Sequence, residues 1–195
     1  MTSLELDTLI FNNWVDLEAA ATRVQEMEDE TFAAVNETAE AWSKARGWSG
    51  VFEGPDGGCW FSPPAWTTTP GKRPNADAWF GLDFQESDGD QWYLTSLMGE
   101  GVGRAVIQFQ QTRVGARKWR EIARDPKNIA KLPAFTLDDT ATYFIPLRID
   151  RSLIAEAIEA ENFRDSLAPL IAVLDRLEEA VPILGALLGD RAGTA

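Results

Sequence analysis

"WSGVFEGPDGGCWFS", residues 48 to 62, is the stretch on which the fold turns. Two short runs carrying Trp48, Val51, Phe52, Trp60 and Phe61 flank PDGG, where Gly57 and Gly58 tolerate positive φ. That pattern predicts a β-hairpin. A second unit of the same kind follows. AWFGLDFQ (78–85) and QWYLTSLM (91–98) flank ESDGD, which reads as another hairpin with Asp88 and Asp90 as turn residues. After GEGVG, the run RAVIQFQQ (104–111) reads as a fifth strand. Strands joined by hairpins argue for an antiparallel sheet with helices packed on it, an α+β domain of about five to six strands.

Working outward, residues 14–46 read as a helix, because Val24, Met27, Val35, Ala39 and Trp42 keep helical spacing. Asn13 is placed to cap its start and Gly47 to end it. The spacing slips across EDET (28–31), so one long helix and a helix pair are both open readings. Downstream of the β-rich middle (48–111), residues 116–125 predict a helix stopped by Pro126. Residues 141–149 predict a strand, in which Pro146 demands an edge position or a bulge. Asp150 is set to cap the first of two C-terminal helices within 151–188. The last of these carries a stripe of Leu167, Leu170, Ile171, Leu174, Leu177, Val181 and Leu184, with Pro182 expected to bend or end it. The stripe is wide enough to suggest a homodimer contact. Residues 1–188 are read as one domain and 189–195 as a disordered tail.

Composition narrows the chemistry. The chain has 195 residues, one cysteine and no histidine. No disulfide framework, cysteine-rich metal site, or Ser–His or Cys–His nucleophile system can be built from it. Cys59, beside Trp60 and Phe61, reads as a small buried hydrophobe. No apolar run reaches about 18 residues and the N-terminus lacks the order of a signal peptide, so the chain reads as cytoplasmic, with no membrane partner and no cofactor.

Charge is unevenly spread over a net −13. Residues 1–62 hold 12 acids and 3 bases, whereas residues 101–135 hold 2 acids and 8 bases. The acidic background disfavours nucleic acid and suits a partner with a basic surface. Glu26, Glu28, Asp29 and Glu30, in EMEDE, are the candidate contact residues on the first helix, and imitation of a phosphate row is one form such a surface takes. In the basic island 113–131, Arg117, Arg120 and Arg124 share one helix face and are candidates for phosphate or carboxylate binding. Trp119 would be available there for stacking. Acidic neighbours within the fold are the competing use of those arginines.

Eight tryptophans are many for this length. Trp48, Trp60, Trp66, Trp79 and Trp92 fall at strands or beside hairpins, where they either roof one sheet face against the helices or form a partly exposed anchor for a partner. The loop SPPAWTTTPGKRPNAD (62–77) is stiffened by proline and carries Lys72 and Arg73 at its tip. With Trp66 it makes a second candidate contact.

GEGVG lacks the lysine and the helix of a phosphate loop, leaving carboxylate chemistry as the enzymatic option. The element order over 14–125 loosely resembles the PD-(D/E)XK nuclease core, with Asp83 in WFGLDF standing for its strand aspartate. The resemblance implies a divalent-metal phosphodiesterase centred on Asp83. However, the acid-x-lysine triplet has no counterpart in WYLTSL or QFQ, so such a member would look inactive. The reading that fits the whole chain is a non-catalytic acidic interaction protein: an inhibitor, immunity-type protein or adaptor. The metal phosphodiesterase and a nucleic-acid module on 113–131 are the alternatives.

Overall fold

The computed structural model describes residues 2–53, 58–70, 75–85 and 91–189. In chain order its elements are α1 (Ser3–Asn12), α2 (Trp14–Ala45), β1 (Ser49–Phe52), β2 (Cys59–Ser62), β3 (Thr67–Thr69), β4 (Asn75–Ala76) and β5 (Ala78–Gln85). There follow α3 (Tyr93–Leu97), β6 (Arg104–Gln111), α4 (Ala116–Ala123), α5 (Pro126–Ile129), β7 (Thr136–Leu137) and β8 (Tyr143–Pro146). The chain closes with α6 (Arg151–Glu159), a 3₁₀ turn (Phe163–Leu167) and α7 (Ala168–Leu188). Gly57, Lys72, Arg73, Asp88, Asp90 and the tail from 190 onward lie outside the described residues.

Six strands form one antiparallel sheet in the order β1-β2-β5-β6-β8-β7, and β3 with β4 forms a small second ribbon. The α+β architecture read from the hairpins is therefore the one observed. Ser49 to Phe52 pair with Ser62 to Cys59, the register expected for the first hairpin. β5 and β6 make the longest pairing, eight residues from Ala78↔Gln111 to Gln85↔Arg104. Side chains alternate across it, so Phe80, Ile107 and Phe109 are buried while Trp79, Asp83 and Gln108 fall on the other face.

The core lies between the first of these faces and the helices α2, α4 and α7. Trp42 of α2 meets Trp48 edge-on at 5.0 Å, and Trp48 stacks on Phe80 at 6.0 Å. Trp42 also donates its indole N–H to Asp175 of α7 at 2.9 Å, and Arg46 lies over its ring while pairing with Glu178. Helix and sheet are thus tied by one aromatic cluster with its polar edges satisfied.

Two expectations need correction, and two open alternatives are decided. QWYLTSLM is not a strand: Tyr93–Leu97 is a helical turn inside the β5–β6 connection, with Leu94 and Leu97 buried at a spacing of three. Its aromatic and β-branched residues favour a strand, but the buried Glu28 carboxylate of α2 takes the N–H groups of Tyr93 and Leu94 and so caps a helix start. Of the two readings open at EDET, the single long helix is the one observed: α2 runs unbroken through it, with Glu28 and Thr31 buried. A further helix, α1, precedes it, closed by a Thr2–Glu5 capping box. The side chain of Asn13 donates back to the Leu9 carbonyl at 2.8 Å and makes no cap bond to α2. Of the two outcomes open for Pro182, a bend or an early end, the early end is excluded: α7 continues to Leu188, with Leu177, Leu184 and Leu188 buried on both sides of the proline.

Smaller details follow the sequence more closely. α4 ends at Ala123, and Pro126 is the first residue of α5 rather than a plain stop, with the Asp125 side chain capping Lys127 N–H at 2.8 Å. Pro146 pairs with Val106 on one side only, beyond the reach of the two-residue β7. Locally, then, it sits at an edge, as a strand proline must.

Candidate functional site

α1 and the first half of α2 stand off the body. No residue of α1 is buried, and the first buried residue of α2 is Glu28. At 100° per residue, Trp14, Leu17, Ala21 and Val24 continue the 3-4 stripe that is buried farther along at Thr31, Val35 and Trp42. In the arm this stripe faces no partner: Trp14 is 60% exposed, and Phe11, off the stripe, 78%. Glu5, Asp7, Asp16, Glu18 and Glu26 stand among these apolar residues, with Arg23 as the single base between Ser3 and Met27. The Arg23 guanidinium reaches Glu26 at 2.9 Å and Glu30 at 3.3 Å.

Where α2 meets the body, two cavities open along it. The first, of about 300 Å³, is walled by Phe32, Phe84 and Tyr93 and carries Glu28 and Asp29. Tyr93 sits between the other two rings, edge-on to Phe32 at 5.0 Å and to Phe84 at 5.2 Å. Its phenol oxygen is buried without a hydrogen-bond partner, and burial pushes its pKa upward. The second cavity, of about 330 Å³, shares Asp29 and Phe32 with the first and adds Asn36, Glu37, Glu40 and Phe52. Desolvation raises the Glu28 carboxyl above its ordinary value, although two backbone N–H groups oppose the shift.

The predicted contact residues divide by environment. Glu26 and Glu30 are exposed and paired with Arg23, and Asp29 is exposed and accepts from Gln25 at 3.1 Å. Glu28, by contrast, is a buried cap. Trp66 is 1% exposed and packs on Phe80 and Phe109, so its ring belongs to the core. Trp48 and Trp66 roof the core face, whereas Trp60 and Trp79 meet at 6.4 Å on the opposite one. On α4, Arg117 is exposed beside Glu121 and Arg124 donates to the Asp139 carbonyl at 2.6 Å. Arg120 is exposed too. Trp119 is buried, its indole N–H donating to the Ala141 carbonyl at 2.9 Å, so no stacking face is left open there. Leu167, Leu170, Leu174, Leu177 and Leu184 are all covered within the chain's own core.

Asp83 is exposed; its carboxylate accepts from the Phe84 N–H and the Gln108 side chain. Among the described residues no three acids or thiols converge as a metal-binding group. Cys59 is buried, as expected, and burial pushes its thiol up to about 12. The GEGVG loop is organised by Gln91, whose amide oxygen accepts from Val102 and Gly103 and whose NH₂ donates to Ser96, Glu100 and Gly103. No helix among the described residues is long and apolar enough to cross a membrane.

Sequence reasoning missed the bare apolar arm and the aromatic walls at Phe32, Phe84 and Tyr93. The arm was within reach: Thr2 and Glu5 spell a capping box, and Trp14, Leu17, Ala21 and Val24 keep a heptad spacing. In comparisons with known proteins, no family model, curated protein or solved structure matches this chain.

Proposed function

We propose that this chain is a non-catalytic binding protein that engages a macromolecular partner with a basic surface, chiefly through its N-terminal arm. One observation carries the reading. From Ser3 to Met27 no side chain is buried, yet Leu4, Leu9, Phe11, Trp14, Val15 and Leu17 are all exposed there. Contiguous apolar surface of this kind marks interaction sites on otherwise polar proteins. An amphipathic helix laid in a groove is a recurring recognition mode. The acids interspersed along the arm favour a partner whose apolar groove is rimmed by lysine and arginine.

The test is affinity capture from lysate with the wild-type chain and with a Phe11→Ser, Trp14→Ser, Leu17→Ser variant, at low and high salt. A basic protein held stoichiometrically by the wild type, released by salt and absent from the variant supports the reading. Equal capture by both chains sinks it. The variant's thermal midpoint should match the wild type, because none of the three side chains is buried.

A further inference from the structure

Acceptors outnumber donors along the groove beside α2. Glu28 and Asp29 bring carboxylates to the first cavity and Asp29, Glu37 and Glu40 to the second; Glu37 is paired with Arg164 and Glu40 with Lys44, so Glu28 and Asp29 are the ones without a cationic partner among the described residues. No lysine or arginine lines either cavity among the described residues, and none pairs with Glu28. Of the donors lining the first cavity, the Gln91 NH₂ is committed to Ser96, Glu100 and Gly103 and the Gln25 amide donates to Asp29, which leaves the Tyr93 hydroxyl. Asn36, which lines the second cavity, is 5% exposed and its Oδ1 has no hydrogen-bond partner, as the buried Tyr93 hydroxyl at the first cavity has none. The unpaired carboxylates of Glu28 and Asp29 favour a ligand that brings donors and positive charge.

The walls add a second requirement. Phe32, Tyr93 and Phe84 meet edge to face, and all three rings line the first cavity. Ring faces carry negative quadrupole charge and attract organic cations. A metal ion is a poor fit, since no three potential ligands converge among the described residues. At about 300 and 330 Å³ the cavities lie at the lower end of ligand sites, matching a side chain rather than a nucleotide.

We infer that this groove is a receptor for arginine side chains, with a guanidinium stacked against Phe32 and Tyr93 and bonded to Asp29. The planar guanidinium combines five donors with an affinity for aromatic faces, the combination that the lining lacks and invites. Asp29 and Phe32, one helical turn apart and common to both cavities, make the junction at which two successive basic side chains would part. The inference rests on the binding-protein reading only for the source of the arginines, namely the basic partner.

Titration of ¹⁵N-labelled protein with N-acetyl-arginine amide, followed by backbone amide shifts, tests it without the partner. Saturable shifts are expected at Phe32, Phe84 and Gln91, with binding about tenfold weaker for the uncharged isostere N-acetyl-citrulline amide. Asp29→Asn and Phe32→Leu should each weaken the arginine probe by about threefold or more. Equal binding of the citrulline probe, shifts confined to other surfaces, or no saturation overturns the proposal. Equal binding of N-acetyl-lysine amide overturns the guanidinium assignment. The Phe11, Trp14, Leu17 variant should titrate like the wild type. The arm can therefore fail in capture while the groove holds, or the reverse.

Discussion

Removing the Glu28 carboxylate tests how the β5–β6 connection is held. The side chain is 7% exposed; Oε2 accepts from Tyr93 N–H at 2.5 Å and Oε1 from Leu94 N–H at 2.7 Å. Glu28→Ala strands both donors. A buried donor without an acceptor costs about 1–3 kcal/mol, so the pair costs about 2–5 kcal/mol once relief of the carboxylate's own desolvation is set against it. For a chain of this size each kcal/mol lowers the melting midpoint by about 2–4 °C, giving a drop of roughly 4–20 °C. Glu28→Gln keeps one acceptor and should lose about 1–2 kcal/mol. The sign of the pH dependence is fixed as well. Desolvation raises the folded-state pKa above the ordinary 4.5, so the folded chain holds this proton more tightly than the unfolded one. Its contribution to stability is complete below 4.5 and is lost as the pH climbs through the raised value. Urea melts followed by tryptophan fluorescence across that window should show the wild type gaining on Glu28→Gln as the pH falls. A cost below about 0.5 kcal/mol for Glu28→Ala, or a gain in the opposite direction, refutes the capping argument.

Two further outcomes follow from burial. Trp66→Ala should cost about 3–5 kcal/mol, because a ring 1% exposed against Phe80 and Phe109 leaves a cavity, whereas Trp14→Ala should stay within about 0.5 kcal/mol. Paired urea melts decide this, and a comparable loss in the two variants would contradict the division of tryptophans into core and arm. Cys59, with its thiol pushed up to about 12, should resist iodoacetamide in the native chain by about a thousandfold relative to the urea-unfolded chain. Mass spectrometry of timed labelling reads this directly, and rapid native labelling would contradict the buried assignment.

Local signals carried most of the fold. The hairpin at 48–62 is legible because glycine-bearing turn chemistry and aromatic strands sit within fifteen residues of one another. The helix at 116–123 is legible from its basic face and the proline beyond it. QWYLTSLM was misread because its decisive partner, Glu28, lies more than sixty residues upstream. Aromatic and β-branched residues take whichever backbone the tertiary contact imposes. The groove was illegible for the same reason. Phe32, Phe84 and Tyr93 come from a helix, a strand and a turn, and only packing brings their rings to one cavity. Trp66 and Trp14 show the limit of residue type alone, since one is a core ring and the other stands in solvent.

The bare arm also sets a helix–coil equilibrium. Residues 3 to 24 make up α1 and the start of α2, with no buried side chain to hold the turns closed. α1 has ten residues, and isolated helices under about 12–15 residues are marginal in water on their own. Amide hydrogens there should exchange with solvent far sooner than those beyond Glu28, with protection rising step by step towards the body. A partner that docks on this arm completes the helix as it binds, and part of the interaction free energy goes into ordering backbone. The affinity of the complex is then tuned by the helix propensity of residues that never touch the partner.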